Sequence, residues 1–435
     1  MTASALTRSL AFARTIATAW ILLPLFALSL PLWSWPITSY ATLYLVIGAF
    51  TACFWIGCMA ASLVFAATDA PAPVPPMHHD ATLQKAIMIG AIGLNLVTIA
   101  TRAAFNPFAC ADLLACSNDA YQAFVEGQIT GSGAAFEYVR IVLSPFIYGA
   151  LALAIWGGEA GTEGFKRLRW GVIASEVMLA VATGTSRNIG NVLLFALFAA
   201  SIRRRASGVR AKPRSPWVYV GAAVVVVAFL AYFSFTQLNR DGAVAAVGLL
   251  PFGHGYIEAL SYRTDDDSVL LKGAESIVRY LASGYFCLAL AIELPAGLTF
   301  PFGSSMFLAR RAIASTGDGN YVTLSLPGQM ESLYGWSYMQ QWQSLFSWLL
   351  SDYGYVGTGL IMIGVGFYFI AACGSALTNR GVLSKLPVFI GFIMVVFIPA
   401  NNQIFQTPET YVAFVFSAAF LLFFMLQRNS RASLL

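Results

Sequence analysis

Tyr355-Val-Gly-Thr-Gly-Leu-Ile-Met-Ile-Gly-Val-Gly-Phe-Tyr-Phe-Ile-Ala-Ala-Cys-Gly-Ser-Ala-Leu377 runs without a single charged residue. As a helix rising 1.5 Å per residue, it is long enough to cross a hydrocarbon core about 30 Å thick. Val218 to Phe235 is a second such run, and others recur along the chain. The 435 residues are 58% hydrophobic and 10% charged, against about 25% charged in soluble domains. A soluble globular protein is excluded. Ten-residue alternating strands are absent, so helices rather than a barrel must satisfy the backbone inside the bilayer. The expected class is an all-α polytopic membrane protein, a single integral membrane domain over residues 1–435.

Working outward, spans are expected at about 15–34, 41–66, 86–104, 141–157, 169–184, 188–202, 216–236, 353–377, 386–402 and 409–427. Arg8 and Arg14 precede the first, which reads as a retained signal anchor because a second apolar run follows so closely. The stretch Tyr280 to Leu294 is ambiguous, and the positive-inside rule is used to choose the parity. If it does not cross, sixteen of the 25 basic residues fall in cytoplasmic loops, among them Lys166, Arg167, Arg203 to Arg205, Arg380 and Lys385. Fifteen of the 20 acidic residues then fall outside. If it crosses, Arg380, Lys385, Arg428 and Arg431 land outside, against the rule. Ten crossings with both termini cytoplasmic are therefore expected.

This topology leaves residues 237–352 as one long periplasmic loop, too long to be an idle connector. Its mixture of charged and apolar stretches suggests interfacial or re-entrant helices around an outward-facing cavity. Cys110 and Cys116 fall on the oxidising side and are open to pairing or to remaining free thiols. Cys53, Cys58, Cys287 and Cys373 read as apolar packing. Six cysteines without a CxxC and three histidines without ligand spacing argue against a metal site. No cofactor and no nucleic-acid partner is expected.

The chemistry-bearing candidates gather on the outer side. Arg187, in the tight link Thr183-Gly-Thr-Ser-Arg187-Asn188, has no acid in sequence reach. It is either a snorkelling headgroup contact or a guanidinium for bidentate phosphate binding. Arg240 lies at the same expected depth, where two arginines would clamp a diphosphate, or where it simply pairs with Asp241. Arg279, beside Tyr280, is a third candidate; Arg310 and Arg311 rank lower. For a base the outer groups are His254, Glu258, Glu331 and Asp352, and Asp352 equally suits an N-cap for the span starting at Tyr353. Glu176 is a mid-span carboxylate, to be explained by pairing or by function. Tyr321, Tyr334, Trp336, Tyr338, Trp342 and Trp348 offer rings for sugar stacking, or form an interfacial aromatic belt.

The order of these pieces resembles the oligosaccharide repeat-unit polymerases of bacterial surface polysaccharide, the Wzy-type O-antigen and exopolysaccharide polymerases. The link ending at Arg187-Asn188 is similar to the family's Gly-Ser/Thr-Arg turn, and Asn320-Tyr-Val-Thr323 lies in the long loop. Asp352-Tyr-Gly-Tyr-Val-Gly357 is similar to its Asp-Phe-Gly-x-x-Gly, with Tyr353 in place of Phe. The resemblance covers about residues 180–360. It implies a GT-C-like, metal-independent glycosyltransferase in the bacterial inner membrane with its active site facing the periplasm. The growing chain would pass from an undecaprenyl diphosphate donor to the next lipid-linked repeat unit. It further implies Arg187, Arg240 and Arg279 as diphosphate ligands, His254 and Asp352 as catalytic groups, and Tyr280, Asn320, Tyr321 and Glu331 as substrate contacts. Donor, acceptor, the lipid bilayer and a chain-length regulator are the implied partners. A ligase handing finished glycan to a lipid core shares fold and donor, and substitution of His254 discriminates it. A lipid-linked sugar flippase is the reading from a different class, for which many buried mid-span charges and related halves would be expected.

Overall fold

The computed structural model describes residues 3–66, 78–101, 132–157, 163–183, 185–207, 224, 227–228, 230–231, 249–253, 255–259, 269–295, 299, 304–317, 320–338, 341–378 and 381–432. The order is α1 (Ala3–Ser29), α2 (Tyr40–Ala66), α3 (His78–Thr101), α4 (Ser132–Trp156), α5 (Glu163–Ala182) and α6 (Ser186–Ala206). A small hairpin follows, β1 (Leu249–Phe252) with β2 (Gly255–Glu258). Then come α7 (Val269–Glu293), α8 (Met306–Thr316), α9 (Asn320–Thr323), α10 (Leu326–Tyr334), α11 (Leu345–Thr378), α12 (Leu386–Phe397), α13 (Gln403–Gln406) and α14 (Pro408–Ala432). Among the described residues seven helices are long and apolar enough to cross a membrane: α1, α2, α3, α4, α7, α11 and α14. The protein is a helical, multi-pass membrane protein. The expected span at 216–236 lies largely outside the described residues, as do Cys110 and Cys116.

Small residues set the tightest packing. Along α2 and α11 a Cβ on Gly57 would overlap the Ile363 carbonyl, and one on Gly366 would overlap the Phe54 carbonyl. The two backbones touch because both glycines lack side chains, as expected where lipid gives helices no hydrophobic drive to associate. Phe50 stacks on Tyr355 near one end of the pair, and Gly374 meets Phe65 near the other. The two helices therefore run in the same direction.

One end of the bundle is basic. Arg169 Nε donates to Ala154 O at 2.8 Å, Arg203 to Trp156 O, and Lys385 Nζ to Ala376 O. These cations sit on the last carbonyls of α4 and near the end of α11, where unpaired C=O groups and the helix dipole favour positive charge. The Lys385 ammonium also faces the Trp156 ring at 5.6 Å. Arg205 lies over Phe12 near the start of α1, so that helix begins at this end too.

One helix breaks at the edge of an expected span, and one expected span is only partly helical. At Gly354 (φ 59°, ψ −170°) α11 breaks into 345–353 and 355–378; glycine adopts this positive φ without a Cβ penalty. The apolar run at 386–402 is helical only to Phe397, about 18 Å of rise and short of the bilayer core. Its end is buried yet satisfied. The Ile398 carbonyl accepts Leu345 N–H at 2.8 Å, and the Val396 carbonyl accepts Trp20 Nε1–H at 2.8 Å. Pro399 ends the apolar run, and Asn401, Asn402 and Gln403 carry the chain back through short α13 into α14.

Within the long segment, the stretch at 280–294 expected as an interfacial or re-entrant piece belongs to α7, 25 residues long and largely buried. Tyr285 in its middle donates to the Ile21 carbonyl at 2.6 Å, and the Glu275 carbonyl accepts Trp33 Nε1–H at 3.0 Å, so α7 runs antiparallel to α1. Trp336 and Trp348 are 1% and 2% exposed. They are core residues rather than members of an aromatic belt, because the segment folds back over α7 and α11. Cys53, Cys58, Cys287 and Cys373 are free thiols packed among apolar side chains, as expected.

Candidate functional site

The turn before α6 is held from within. Thr185 N–H donates to Ala180 O at 2.8 Å, Thr183 Oγ1 donates to Leu179 O at 2.9 Å, and the Thr183 and Thr185 hydroxyls lie 2.8 Å apart. The Thr185 side chain therefore makes no capping bond to the helix. Arg187 falls in the first turn of α6, where a cation opposes the helix dipole, so helix stability does not account for it. Along the axis it stands ~24 Å from Arg203 at the basic end. The half-buried Arg187 thus lies toward the opposite face of the bundle.

Arg187 lines a small polar cavity. Asn188 and Asn191 join it from α6, Tyr148 from α4, Glu176 from α5, Gln403 from α13 and Thr410 from α14, with Phe389 and Ile393 of the half-length α12 as apolar wall. Gln403 reaches this place because α12 stops early. The Thr410 hydroxyl ties α14 to α13 by donating toward the Gln403 and Ile404 carbonyls at 3.0 and 2.9 Å. Gln403 is 3% exposed, and neither amide atom has a hydrogen-bond partner.

Glu176 is 3% exposed and accepts from Asn95 Nδ2 of α3 at 3.2 Å. The expected pairing with a neighbouring helix is present. Arg140, 9% exposed on α4, lies within electrostatic reach of Glu176 and Glu409. The Ser144 hydroxyl of α4 donates to the Glu409 carbonyl at 2.8 Å, which anchors the start of α14 beside it. Arg140, Glu409, Gln403 and Asn191 were not singled out in the sequence, and Asn188 entered only as the end of the Arg187 link. Each stands at the edge of an apolar run, and only the fold brings them together. Pro399-Ala-Asn-Asn-Gln403 was a readable signal, since a proline followed by amides inside an apolar stretch marks a broken helix.

The other expected residues stand elsewhere. Asp352 is 3% exposed and is not an N-cap, because the helix around it begins at Leu345. Its Oδ1 accepts the Thr299 hydroxyl at 2.8 Å and its Oδ2 accepts Ser304 N–H at 2.8 Å. The Ser304 carbonyl accepts from Asn402 Nδ2, and the Ser305 hydroxyl donates to the Phe405 carbonyl at 2.8 Å. Asp352 therefore fixes a loop that in turn holds the segment carrying Gln403.

Tyr280 packs edge-on against Trp342 with ring centroids 4.7 Å apart, and Arg279 is half-buried one residue earlier on α7. Glu331, half-buried on α10, raises the Tyr338 phenol above its usual value together with the larger effect of burial. None of Arg279, Tyr280, Glu331 and Asp352 lines the Arg187 cavity. Asn320 and Tyr321 begin α9, and their side chains, like His254 and Arg240, lie outside the described residues. Among the described residues no three His, Cys, Asp or Glu side chains gather to hold a metal. Comparison with family models, curated proteins and solved structures returned no match.

Proposed function

We propose that the protein is a polymerase of lipid-linked oligosaccharide repeat units, working at the periplasmic face of a bacterial inner membrane. The observation that carries this reading is the Arg187 cavity, a polar site placed away from the basic end and walled by apolar helices. A departing polyprenyl diphosphate needs preorganised cations in a water-poor place, and Arg187 is presented there by a self-pinned turn. Arg240 is its proposed partner. Asp352 positions the site, and His254 is the group proposed to accept the acceptor hydroxyl's proton. The substrates reach the site from the bilayer, and a chain-length regulator is the proposed partner protein.

The proposed topology keeps the basic end cytoplasmic, by the positive-inside rule. Since α2 and α11 run in the same direction, four crossings by α3 to α6 require an odd number more before α11. The proposal assigns it to 216–236, counts α5 and α6 as crossings, and keeps α7, itself long and apolar enough to cross, from passing through.

Transport of the lipid-linked sugar is the second reading, favoured by the buried charges Arg140 and Glu176 with Glu409 beside them on three different helices. Deleting the gene in its native host and separating surface and lipid-linked glycans on a gel tests both. Single repeat units on carrier or core, without longer chains, are expected for a polymerase. Repeat units trapped on the cytoplasmic face would instead support transport, and long chains stranded on the carrier would support a ligase. An unchanged pattern would refute any glycan role.

A further inference from the structure

We propose that Arg169 and Arg203 form a binding site for the phosphate of an anionic phospholipid at the basic end of the bundle, against the end of α4. The site is independent of the polymerase reading. Arg169 Nε donates to Ala154 O at 2.8 Å, and Arg203 donates to Trp156 O. Beyond those carbonyls stands Gly157 (φ 76°), where a Cβ would meet Arg203 Nη1 at 2.6 Å and Arg169 Nη2 at 3.1 Å. The two guanidiniums, one from α5 and one from α6, thus converge on one point. They repel each other, and Arg203 also repels the Lys385 ammonium. Arg203 is exposed and Arg169 half-buried, so a headgroup can reach both.

Capping alone does not explain this crowding. The C-terminal end of a helix carries about half a negative charge, and a pair of arginines overmatches it. Residues 157–170 and 203–214 hold nine basic residues against two acidic ones, Glu159 and Glu163. Glu163 is taken by Lys166 at 2.6 Å, and Glu159 can match only one cation. Among the described residues no carboxylate pairs with Arg169 or Arg203. A phosphate held between the two guanidiniums supplies the missing charge, because each fork keeps N–H donors beyond the one given to its carbonyl. The neighbouring surface selects a lipid over a soluble phosphate. Trp170, next to Arg169, is exposed, and Ala174 and Met178 continue an exposed apolar row along α5, away from the basic end. Tryptophan favours the headgroup level, so this row offers the acyl chains a path below the phosphate.

The test is native mass spectrometry of the full chain in detergent, titrated with dioleoyl phosphatidylglycerol, with zwitterionic dioleoyl phosphatidylcholine and with glycerol 3-phosphate. Phosphatidylglycerol is expected to bind about tenfold or more tightly than phosphatidylcholine, and Arg169→Gln/Arg203→Gln to lose that preference. Arg167→Gln/Arg204→Gln removes the same charge from exposed positions at the same end and is expected to keep it. Because Arg169 and Arg203 also cap α4, Arg169→Lys/Arg203→Lys takes the place of the glutamine pair should that pair fail to fold. Its ammoniums can still donate to the carbonyls but cannot grip a phosphate bidentately, so the preference is expected to fall severalfold. Equal binding of the two lipids by wild type, an equal loss in Arg167→Gln/Arg204→Gln, or a preference undiminished in the folded Arg169 and Arg203 variant would overturn the proposal. Displacement of phosphatidylglycerol by an equal concentration of glycerol 3-phosphate would overturn it in favour of a soluble phosphate.

Discussion

Asp352→Asn and Asp352→Ala separate a positioning carboxylate from a proton-transferring one. In the wild type the two oxygens accept from Ser304 N–H and from the Thr299 hydroxyl, each at 2.8 Å. A hydrogen bond to a charged group contributes ~1.5–3 kcal/mol, so alanine forfeits roughly 3–6 kcal/mol before the loop relaxes. It also leaves the buried Ser304 N–H without its acceptor. Asparagine can keep both contacts. Its Oδ1 takes Ser304 N–H, and its Nδ2 donates to Thr299 Oγ1, whose own proton turns to the Ser351 hydroxyl 2.9 Å away. The loss is then only the charge assistance, ~1 kcal/mol. Thermal melting of the purified protein in detergent, together with glycan chain growth in a complemented deletion strain, reads the difference. The alanine variant is expected to melt well below wild type and to lose activity with its fold, whereas asparagine stays close in both. An asparagine variant that melts like wild type but loses roughly 10²- to 10⁴-fold in activity would refute the positioning role and make Asp352 the general base.

Three further outcomes are expected. Gly366→Leu should prevent recovery of folded protein, because its side chain meets the Phe54 backbone, while Gly364→Ala, with open space beside it, should be tolerated; size-exclusion profiles compare them. Burial lowers the Lys385 ammonium to about 7 in the connection before α12, with Arg203 adding repulsion. Between pH 7 and 10 the unfolded chain then holds a proton the folded one lacks, so stability should rise with pH by up to about 1.4 kcal/mol per unit, and Lys385→Met should flatten that slope in melting curves. Finally, a cysteine at Ser268 should react with a membrane-impermeant maleimide in cells whose outer membrane has been permeabilised. Labelling only after the inner membrane is broken would reverse the topology.

Much of the bundle was legible because hydropathy reports helices that face lipid. Spans beginning near Tyr40 and running to Leu377 appear where uncharged runs predicted them, and Arg187 opens α6 as the turn residues before it suggested. Three features were hidden for physical reasons. Hydropathy continues through Ile398 and Pro399, although the helix stops at Phe397, because a buried half-helix end is as apolar as a spanning one. Asp352 looked like a cap since the charge-free run starts beside it, yet Leu345 to Leu350 is equally helical and the break falls at Gly354. The polar set of Arg140, Glu176, Arg187, Gln403 and Glu409 comes from five helices, so no window of sequence contains it.

Reconstitution tests the central claim most directly. Purified wild-type protein in liposomes, supplied with polyprenyl-diphosphate-linked repeat units, is expected to give a ladder of lengthened glycans on a gel. Arg187→Ala, folded by its melting curve, is expected to give only the single unit, and Arg187→Lys to recover little because an ammonium cannot bind a phosphate bidentately. No ladder from active-folded wild type, or an equal ladder from Arg187→Ala, would contradict the account.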